Sequence, residues 1–418
     1  MNKIELFVYN IVKENPSIKF LLRNVYQGIF DLFPRRQEYI KYRYSIRENC
    51  FFGFHDVSSI NKTNDKCLVN DLTIDFMMPT GLEIINIGYY NLNEKGELLD
   101  FVKLDETKTW NYHKGCRLQW LSEDSIIFNT FTDKICSKII NINTKKERFL
   151  DFPIDSVSKD GVFATSFSYE RLNKCMPGYG YPFSDDSYLD EEYTDKTGLF
   201  LCDIKNNSKE LIISLDELHN KICLTKEREN WFYFVTHSEF SYDNNYVSFL
   251  FRCTQLNNIE NRFSALVVYN IKRRVYTVLP TQGMVSHYIW TKKNEIIAYC
   301  DYEGVSGHVL FDINSLTGRY LGLPKINSDG HQTLLNENEI IVDTYPDKWR
   351  LAYLYKINIR SNSVEKIASV YSPKKFQTRN LYKHIACDLH PRASDDGSLI
   401  SFDTCRTGKR GVCIIKLK

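Results

Sequence analysis

The stretch SHYIWTKKNEIIAYC, from Ser286 to Cys300, contains the pattern that decides the fold. A histidine opens a short strand-like run, a polar turn follows a few residues later, and a β-branched and aromatic run completes the phrase. Runs of this composition that are bounded by polar turn residues are typical of antiparallel β-strands. The stretch therefore predicts two neighbouring strands joined by a tight turn.

The polar turn and its following strand recur through the chain. The seven occurrences begin at Asn61, Ser122, Ser158, Ser241, Lys292, Asn336 and Ser394. A second phrase, an alternating strand that ends in a polar turn, follows each of them, for example HVLFDINSLTG from His308. Most units are spaced by roughly 35 to 60 residues, which is the repeat length of a β-propeller blade or a similar module. We therefore predict an all-β fold, a seven-bladed β-propeller, because an array of β-sandwiches would not repeat one unit in one phase.

The N-terminus has a different pattern. Apolar residues at helical spacing, with Pro16 between two groups, predict a short N-terminal helical arm over residues 1–48 and place the propeller at 49–418. FFGFHD, near residue 51, reads as an extra strand that completes the closing blade. The basic residues after the helices suit peripheral membrane or protein contact, and an arm packed on the propeller is the alternative.

Composition limits the possible partners and compartment. The chain has 418 residues, 54 Lys plus Arg against 52 Asp plus Glu, and a net charge of +2, which argues against nucleic acid as a partner. The 12 cysteines form no CxxC pair, and several lie in apolar runs, as expected of reduced thiols. With neither a signal peptide nor a long apolar segment in the sequence, we expect a cytoplasmic protein, with possible attachment to the membrane periphery.

Four histidines occupy the same phase of the repeat: His237, His287, His331 and His390. Equivalent positions of successive blades lie at equivalent points in space, so these side chains should ring one mouth of the central channel. His55 and His113 lie near the same phase, whereas the remaining three histidines, His219, His308 and His384, lie outside it.

Converging imidazoles suit a divalent metal. Asp388 lies two residues before His390, on the same side of a strand, and a carboxylate with neutral imidazoles forms a site for a borderline divalent cation. The alternative is a structural ring of hydrogen bonds that orders the blades.

SHYIW, GHQTLL and DLHPRASDDGSLISFDT, together with the seven-unit layout, resemble the oligogalacturonate lyases and related propeller proteins. The resemblance covers about residues 51–418. It implies a seven-bladed propeller inside the cell that binds a manganese-type cation and cleaves uronate-containing oligosaccharides by β-elimination.

The resemblance assigns roles to individual positions. His287 and His390 match metal-binding histidines of the family, a further family histidine falls on Asp388, and His237 matches the proton-abstracting base. His331 shares the phase of the repeat and is a further candidate ligand. Ile385 stands where the family has a glutamine ligand, and DKTGLFLCDI, which matches the segment of its assisting arginine, contains no arginine.

Substrate contacts are predicted from residue chemistry. Arg392 and Arg117 are candidates for binding sugar carboxylates, because guanidinium matches carboxylate in a bidentate manner. His55 lies near the channel phase, and Tyr345 and Arg350, in DTYPDKWR, suit a sugar-contacting loop or a plain turn. PGYGYP, from Pro177 to Pro182, opens an insertion that forms either a lid or a solvated loop.

Two functions remain after these observations. The first is a metal-dependent carbohydrate-active enzyme, a lyase acting on an acidic oligosaccharide with manganese as the expected metal. The alternative is a non-catalytic propeller that binds glycan or protein in surface-polysaccharide assembly, because one fold hosts many functions.

Overall fold

The computed structural model describes residues 16–74, 76–222, 226–380 and 383–417. In these ranges, seven antiparallel sheets follow one another along the chain as blades, and the predicted seven-bladed β-propeller is confirmed. Two short strands, β1 (Tyr39–Ile40) and β2 (Arg43–Glu48), precede the first blade.

The first four blades contain strands β3 to β17. Blade 1 has β3 (Cys50–Phe51), β4 (Lys66–Asp71), β5 (Ile85–Leu92) and β6 (Leu98–Thr107). Blade 2 has β7 (Gln119–Trp120), β8 (Ser125–Phe131), β9 (Ile135–Asn141) and β10 (Glu147–Leu150). Blade 3 has β11 (Phe163–Ser166), β12 (Gly198–Asp203) and β13 (Ser208–Ser214). Blade 4 has β14 (Phe232–Phe240), β15 (Tyr246–Gln255), β16 (Asn258–Asn270) and β17 (Val275–Val278).

The last three blades contain the remaining strands apart from one hairpin. Blade 5 has β18 (Val285–Trp290), β19 (Glu295–Tyr302), β20 (Val305–Asp312) and β21 (Gly318–Leu321). Blade 6 has β22 (Gln332–Asn336), β23 (Glu339–Asp343), β24 (Leu351–Asn358) and β25 (Val364–Tyr371), with β1 paired to β25. Blade 7 has β28 (Arg392–Ala393), β29 (Leu399–Thr404), β30 (Gly411–Lys416) and β2. The hairpin β26 (Arg379–Asn380) and β27 (Lys383–His384) lies between blades 6 and 7.

The N-terminal strands close the ring. β2 pairs with β30 in register from Arg43–Lys416 to Glu48–Gly411, and this adds the outer strand of blade 7. FFGFHD therefore does not complete the closing blade: its Phe51 belongs to the innermost strand of blade 1. The reason is that RYSIRE, within the region assigned to the helical arm, satisfies the open edge of β30 directly.

Three α-helices lie among the described residues. They are α1 (Pro16–Phe30), α2 (Tyr169–Cys175) and α3 (Leu215–Ile222). Two 3-10 turns cover Lys226–Arg228 and Lys374–Phe376. None of the described helices is long and apolar enough to cross a membrane. The first predicted helix of the arm, around Ile4 to Ile11, lies outside the described residues.

The α1 helix packs on blade 6. Gln27 is buried and donates to the main-chain carbonyl of Asp347 at 2.9 Å, and the Phe30 ring lies 4.6 Å from that of Trp349. Val25 and Ile29, on the same helix, are exposed. The arm is thus fixed to the propeller by one face, while membrane or protein contact through the other face stays a prediction.

The repeated polar turn joins the first and second strands of six blades, as at 291–294, where it connects β18 to β19 in blade 5. In blade 3 the turn that starts at Ser158 lies between Val157, which forms an isolated bridge with Ala164, and β11. Apolar side chains pack between neighbouring blades, as when Leu250 of blade 4 meets Val285 and Ile296 of blade 5. The eleven cysteines that the structure describes are all buried. Because the same kind of turn follows each inner strand, the inner strands all begin at one mouth of the channel.

Candidate functional site

The four histidines of the repeat lie together at one mouth of the channel. His237 and His287 belong to the inner strands β14 and β18, His331 directly precedes β22, and His390 lies two residues before β28. The ring centroids of His287 and His331 are 3.9 Å apart, and those of His331 and His390 are 4.2 Å apart. All four side chains are buried.

Phe54 occupies the middle of this histidine cluster. Its ring centroid lies 4.7 Å from that of His237, 5.9 Å from that of His287 and 5.1 Å from that of His390. It follows Gly53, whose φ of +122° and close approach to the Lys114–Gly115 backbone leave no room for a side chain. The loop after β3 can therefore enter the channel, and the sequence signal for it was the glycine in FFGFHD.

Asp343 orients two of the histidines. Its carboxylate accepts the main-chain N–H of His331 at 2.6 Å and that of His390 at 2.9 Å, and it lies 3.0 Å from Nδ1 of His331. Burial alone would lower the pKa of His331, but the Asp343 carboxylate outweighs burial and raises it. With Nδ1 held, Nε2 of His331 is buried and has no hydrogen-bond partner among the described residues.

Asp388 is buried beside the histidines. Its Oδ1 forms an ion pair with Arg379, whose guanidinium also lies 4.5 Å from the centre of the Tyr345 ring. Burial would raise the pKa of Asp388, but Arg379 and His331 lower it, so the group is a carboxylate at neutral pH. Its Oδ2 has no hydrogen-bond partner in the described part of the chain.

His113 joins Asp388 and His390 in a group whose potential ligand atoms all lie within 4.8 Å of one another. Its ring stacks on Tyr179 at 4.5 Å, and its Nε2 is 2.5 Å from Nδ1 of His384. The sequence placed His384 outside the phase because the β26–β27 hairpin that carries it is not part of the repeat. Tyr179 is the centre of PGYGYP, so this insertion packs over the channel mouth.

The donor set fits a divalent cation. Five buried ligand atoms near the channel mouth have no hydrogen-bond partner among the described residues: Nε2 of His55, Nδ1 of His113, Nε2 of His331, Oδ2 of Asp388 and Nε2 of His390. Burial and neighbouring charges hold the pKa of His55, His113 and His390 well below the usual value. These imidazoles are therefore neutral, the form that binds metal ions. Imidazole nitrogen with one carboxylate suits first-row divalent metals.

His237 lies beside a small cavity on the same axis. The cavity is lined by Phe54, Asp56, His237, Ser238, Glu239, His287 and Tyr288. His237 has a φ of +53° at a bulge of β14, and its Nδ1 is 2.7 Å from the hydroxyl of Thr236. Burial, with the charges of Lys114 and Arg252, lowers its pKa, so the ring is unprotonated at neutral pH.

Glu239 is a further titratable group in this cavity, beside Asp56, His237 and His287, and it was not predicted from the sequence. It is 8% exposed, and Oε2 has no hydrogen-bond partner among the described residues. Burial raises the pKa of its carboxyl to about 8. Its position two residues after His237, in THSEF, places it in the same inner strand.

The three arginines predicted to contact substrate, two of them through sugar carboxylates, form ion pairs within the protein. Arg117 forms two hydrogen bonds with Asp56, at 3.0 and 2.9 Å. Arg392 pairs with Asp403 at 2.8 Å, and Arg350 pairs with Asp31 of the N-terminal arm at 2.6 Å. All three side chains are buried. The charge of each guanidinium group is therefore compensated by a carboxylate of the protein, as burial of a charge requires.

The other two residues expected to bind substrate lie near the cluster. Nδ1–H of His55 donates to the main-chain carbonyl of Gln332 at 2.7 Å, and the His55 ring centroid is 5.1 Å from that of His331. The Tyr345 ring centroid is 5.9 Å from that of His331. Ile385, at the position of the family's glutamine ligand, packs in an apolar core.

Two solved structures share this fold. An oligogalacturonate lyase in complex with manganese aligns with a TM-score of 0.58 and 12% identity, over 92% of this chain and 99% of its own. An oligogalacturonate lyase from Vibrio parahaemolyticus aligns with a TM-score of 0.59 and 12% identity, over the same shares. No protein-family profile matches the chain, and no curated protein matches it in sequence. The chain thus has the propeller fold seen in oligogalacturonate lyases, and a histidine–aspartate group that can hold a cation.

Proposed function

We propose that this protein is a divalent-metal-dependent lyase that cleaves uronate-containing oligosaccharides by β-elimination at the channel mouth. The observation that carries the proposal is the contact of His287, His331 and His390 beside the unpaired Oδ2 of Asp388. The same end of the channel holds His237, which is neutral and borders a cavity. A carboxylate-binding group and a base are the two requirements of this reaction.

The residues that would hold the cation are His287, His331, His390 and Asp388, and manganese is the metal that we expect. A bound divalent cation supplies positive charge that neutralises the uronate carboxylate and so makes the C5 proton more acidic. Asp343 keeps two of these histidines in place, since it accepts hydrogen bonds from the main-chain N–H of both His331 and His390.

His237 is the proposed base. It removes the C5 proton of the uronate, and loss of the leaving-group oxygen at C4 then forms the unsaturated sugar. The Thr236 hydroxyl holds Nδ1 at 2.7 Å, which leaves Nε2 as the atom that accepts the proton. His237 and His287 border the same small cavity, so the proposed base and the proposed carboxylate-binding group lie next to each other.

The metal is tested by elemental analysis of the purified protein. We expect about one equivalent of divalent metal in the wild type, and its loss from His287→Ala and His390→Ala, because each change removes a ligand. His219→Ala is the matched control, since His219 stacks on Tyr193, away from the channel histidines. Retention of metal by both channel variants would contradict this site.

The reaction is tested by the ultraviolet absorbance of the unsaturated uronate during incubation with acidic oligosaccharides. For His237→Ala we expect a rate lowered by about 10²- to 10⁴-fold, as for loss of a general base, and an unchanged metal content. His219→Ala should keep the wild-type rate. If the metal-loaded wild type gives no signal with any of a broad panel of uronates, the non-catalytic glycan-binding function takes the place of this one.

A further inference from the structure

Two arginine side chains meet beside the channel without forming an ion pair. Arg252 lies on β15 and Arg262 on β16, and because Arg252 is the cross-strand partner of Ser264, the two arginines are diagonal neighbours on one face. Nη1 of each guanidinium donates to the thioether sulfur of Met176, at 3.4 Å in both cases. One weak, neutral acceptor is therefore shared by two positive charges.

The remaining contacts of these guanidinium groups are also neutral. Nη2 of Arg252 donates to the main-chain carbonyls of Val285 and Ser286, both at 3.1 Å, and Nη2 of Arg262 donates to that of Ile259 at 3.4 Å. Neither Nε has a hydrogen-bond partner in the described ranges. No carboxylate of the described residues forms an ion pair with either group. Burial and the neighbouring charge of Arg262 lower the pKa of Arg252.

Some other arginines near the channel are neutralised by the protein: the buried Arg117 and Arg392 and the half-buried Arg379 each pair with an aspartate. Arg171 and Arg410 are buried with main-chain carbonyl acceptors, but neither shares its acceptor with a second arginine among the described residues. Burying a charge is costly unless a partner compensates it, and two like charges that share one acceptor also repel each other. Arg252 is 4% exposed, so water screens little of this repulsion. The pair thus leaves positive charge that an anion can compensate.

The pair borders the candidate site. Ser286, whose carbonyl accepts from Arg252, directly precedes His287 in β18. The charge of Arg252 also lowers the pKa of both His237 and His287, which places it within electrostatic reach of each. A group bound between the arginines would therefore lie next to a sugar held at the histidines.

We propose that Arg252 and Arg262 form an oxyanion subsite that binds a carboxylate of the acidic sugar, with the Met176 sulfur marking the position of one carboxylate oxygen. Two guanidinium groups match a carboxylate through charge-assisted hydrogen bonds. The unbranched Met176 side chain has the freedom to move aside when the anion binds. The identification of the bound group as a sugar rests on the proposed function, whereas the inference that an anion binds between the arginines does not.

Replacement of Met176 in the full-length, chelator-treated protein tests whether a negative charge between the two arginines is favourable. Met176→Glu places a carboxylate between the arginines, and Met176→Gln is the neutral control of the same length. We expect a higher melting temperature for Met176→Glu than for Met176→Gln, with the difference reduced at high salt. Equal melting temperatures at low salt would overturn the subsite.

Calorimetric measurement of galacturonate binding to the chelator-treated protein tests whether the bound anion is a sugar carboxylate. We expect saturable binding to the wild type, affinity reduced at least tenfold in Arg262→Met and Met176→Glu, and no binding of galactose, which lacks the carboxylate. Arg273→Met is the matched control, since Arg273 is exposed on the β16–β17 turn. Arg262 is the arginine chosen for replacement because it is more exposed than Arg252. Circular dichroism of Arg262→Met checks that the variant is folded.

Each outcome decides the inference independently of catalysis. Unchanged galacturonate affinity in both Arg262→Met and Met176→Glu would overturn the subsite. Binding of sulfate but not of galacturonate, lost in Arg262→Met, would overturn the assignment to a carboxylate. Loss of galacturonate binding in these variants supports the subsite even if no substrate is cleaved, because metal and turnover are absent from the measurement.

Discussion

At the scale of single residues, carboxylates decide what the channel histidines can do. Asp343 accepts hydrogen bonds from the main-chain N–H of His331 and His390 and faces Nδ1 of His331, so it fixes the ring of His331 and the backbone of His390. One carboxylate oxygen of Asp388, Oδ1, is already paired with Arg379. The site is therefore asymmetric, with one strongly oriented histidine and one shared carboxylate, although the histidines occupy equivalent positions of the repeat.

The buried carboxyl of Glu239 should make the stability of the protein depend on pH. Its raised pKa means that the folded state binds a proton that the unfolded state releases above its ordinary pKa of 4.5. The free energy of unfolding should therefore fall as pH rises from about 4.5 to about 8, and Glu239→Gln should remove this contribution. Above pH 8 the free energy of unfolding of Glu239→Gln should be higher than that of the wild type by on the order of a few kcal/mol. Below pH 4.5 the two free energies should be equal.

The measurement is chemical denaturation of chelator-treated protein across this pH range. Glu337→Gln is the control, because Glu337 is exposed in the turn between β22 and β23. A difference between Glu239→Gln and wild type that stays constant with pH would contradict a buried, protonated carboxyl.

At the scale of elements, the segment after β3 matters most for the site. It places Phe54 and His55 beside the channel histidines, whereas the equivalent point of blades 4 and 5 is a β-bulge within a continuous inner strand. This departure from the repeat depends on Gly53.

Gly53→Ala should therefore damage the site as well as the fold. An added Cβ would lie 2.9 Å from the backbone of Lys114 and Gly115, at a φ of +122°. Gly304→Ala is the matched control: its φ is also positive, at +79°, but no atom lies within 4 Å. We expect Gly53→Ala to lose about 1 to 3 kcal/mol more stability than Gly304→Ala, and to bind less metal. Equal losses in thermal denaturation would contradict this role.

At the scale of the whole molecule, the ring is closed by the N-terminal segment. β2 pairs along the full length of β30, and blades 7 and 1 share an apolar core that includes Cys50, Leu399 and Ile414. An open propeller would expose the β30 edge and weaken this seam. Closure also keeps the inner strands, and hence the histidines, at fixed distances.

Two shortened chains test this closure. A chain that starts at residue 38 keeps β1 and β2, and a chain that starts at residue 49 lacks both, while each lacks α1 and the Asp31–Arg350 pair. We expect a single cooperative thermal transition from the first, and a much lower melting temperature or aggregation from the second. Equal melting temperatures would mean that ring closure does not depend on β2.

The sequence by itself determined the number of blades and the phase of the channel histidines. The alternation of strand residues and the polar turns are local signals, and a repeat places equal phases at equal positions. Seven turns thus predicted seven blades, and His237, His287, His331 and His390 lie together as their common phase indicates.

Only the tertiary structure decided how the charges are paired. Arg392 binds Asp403, Arg350 binds Asp31, and Arg252 meets Arg262 over Met176. The closing strand and the approach of His384 to His113 likewise depend on segments far apart in the chain. Which partner compensates a buried charge depends on three-dimensional proximity, whereas a strand or a turn depends on a few consecutive residues. For that reason the repeat was readable in the sequence, and the partners of its arginines and carboxylates were not.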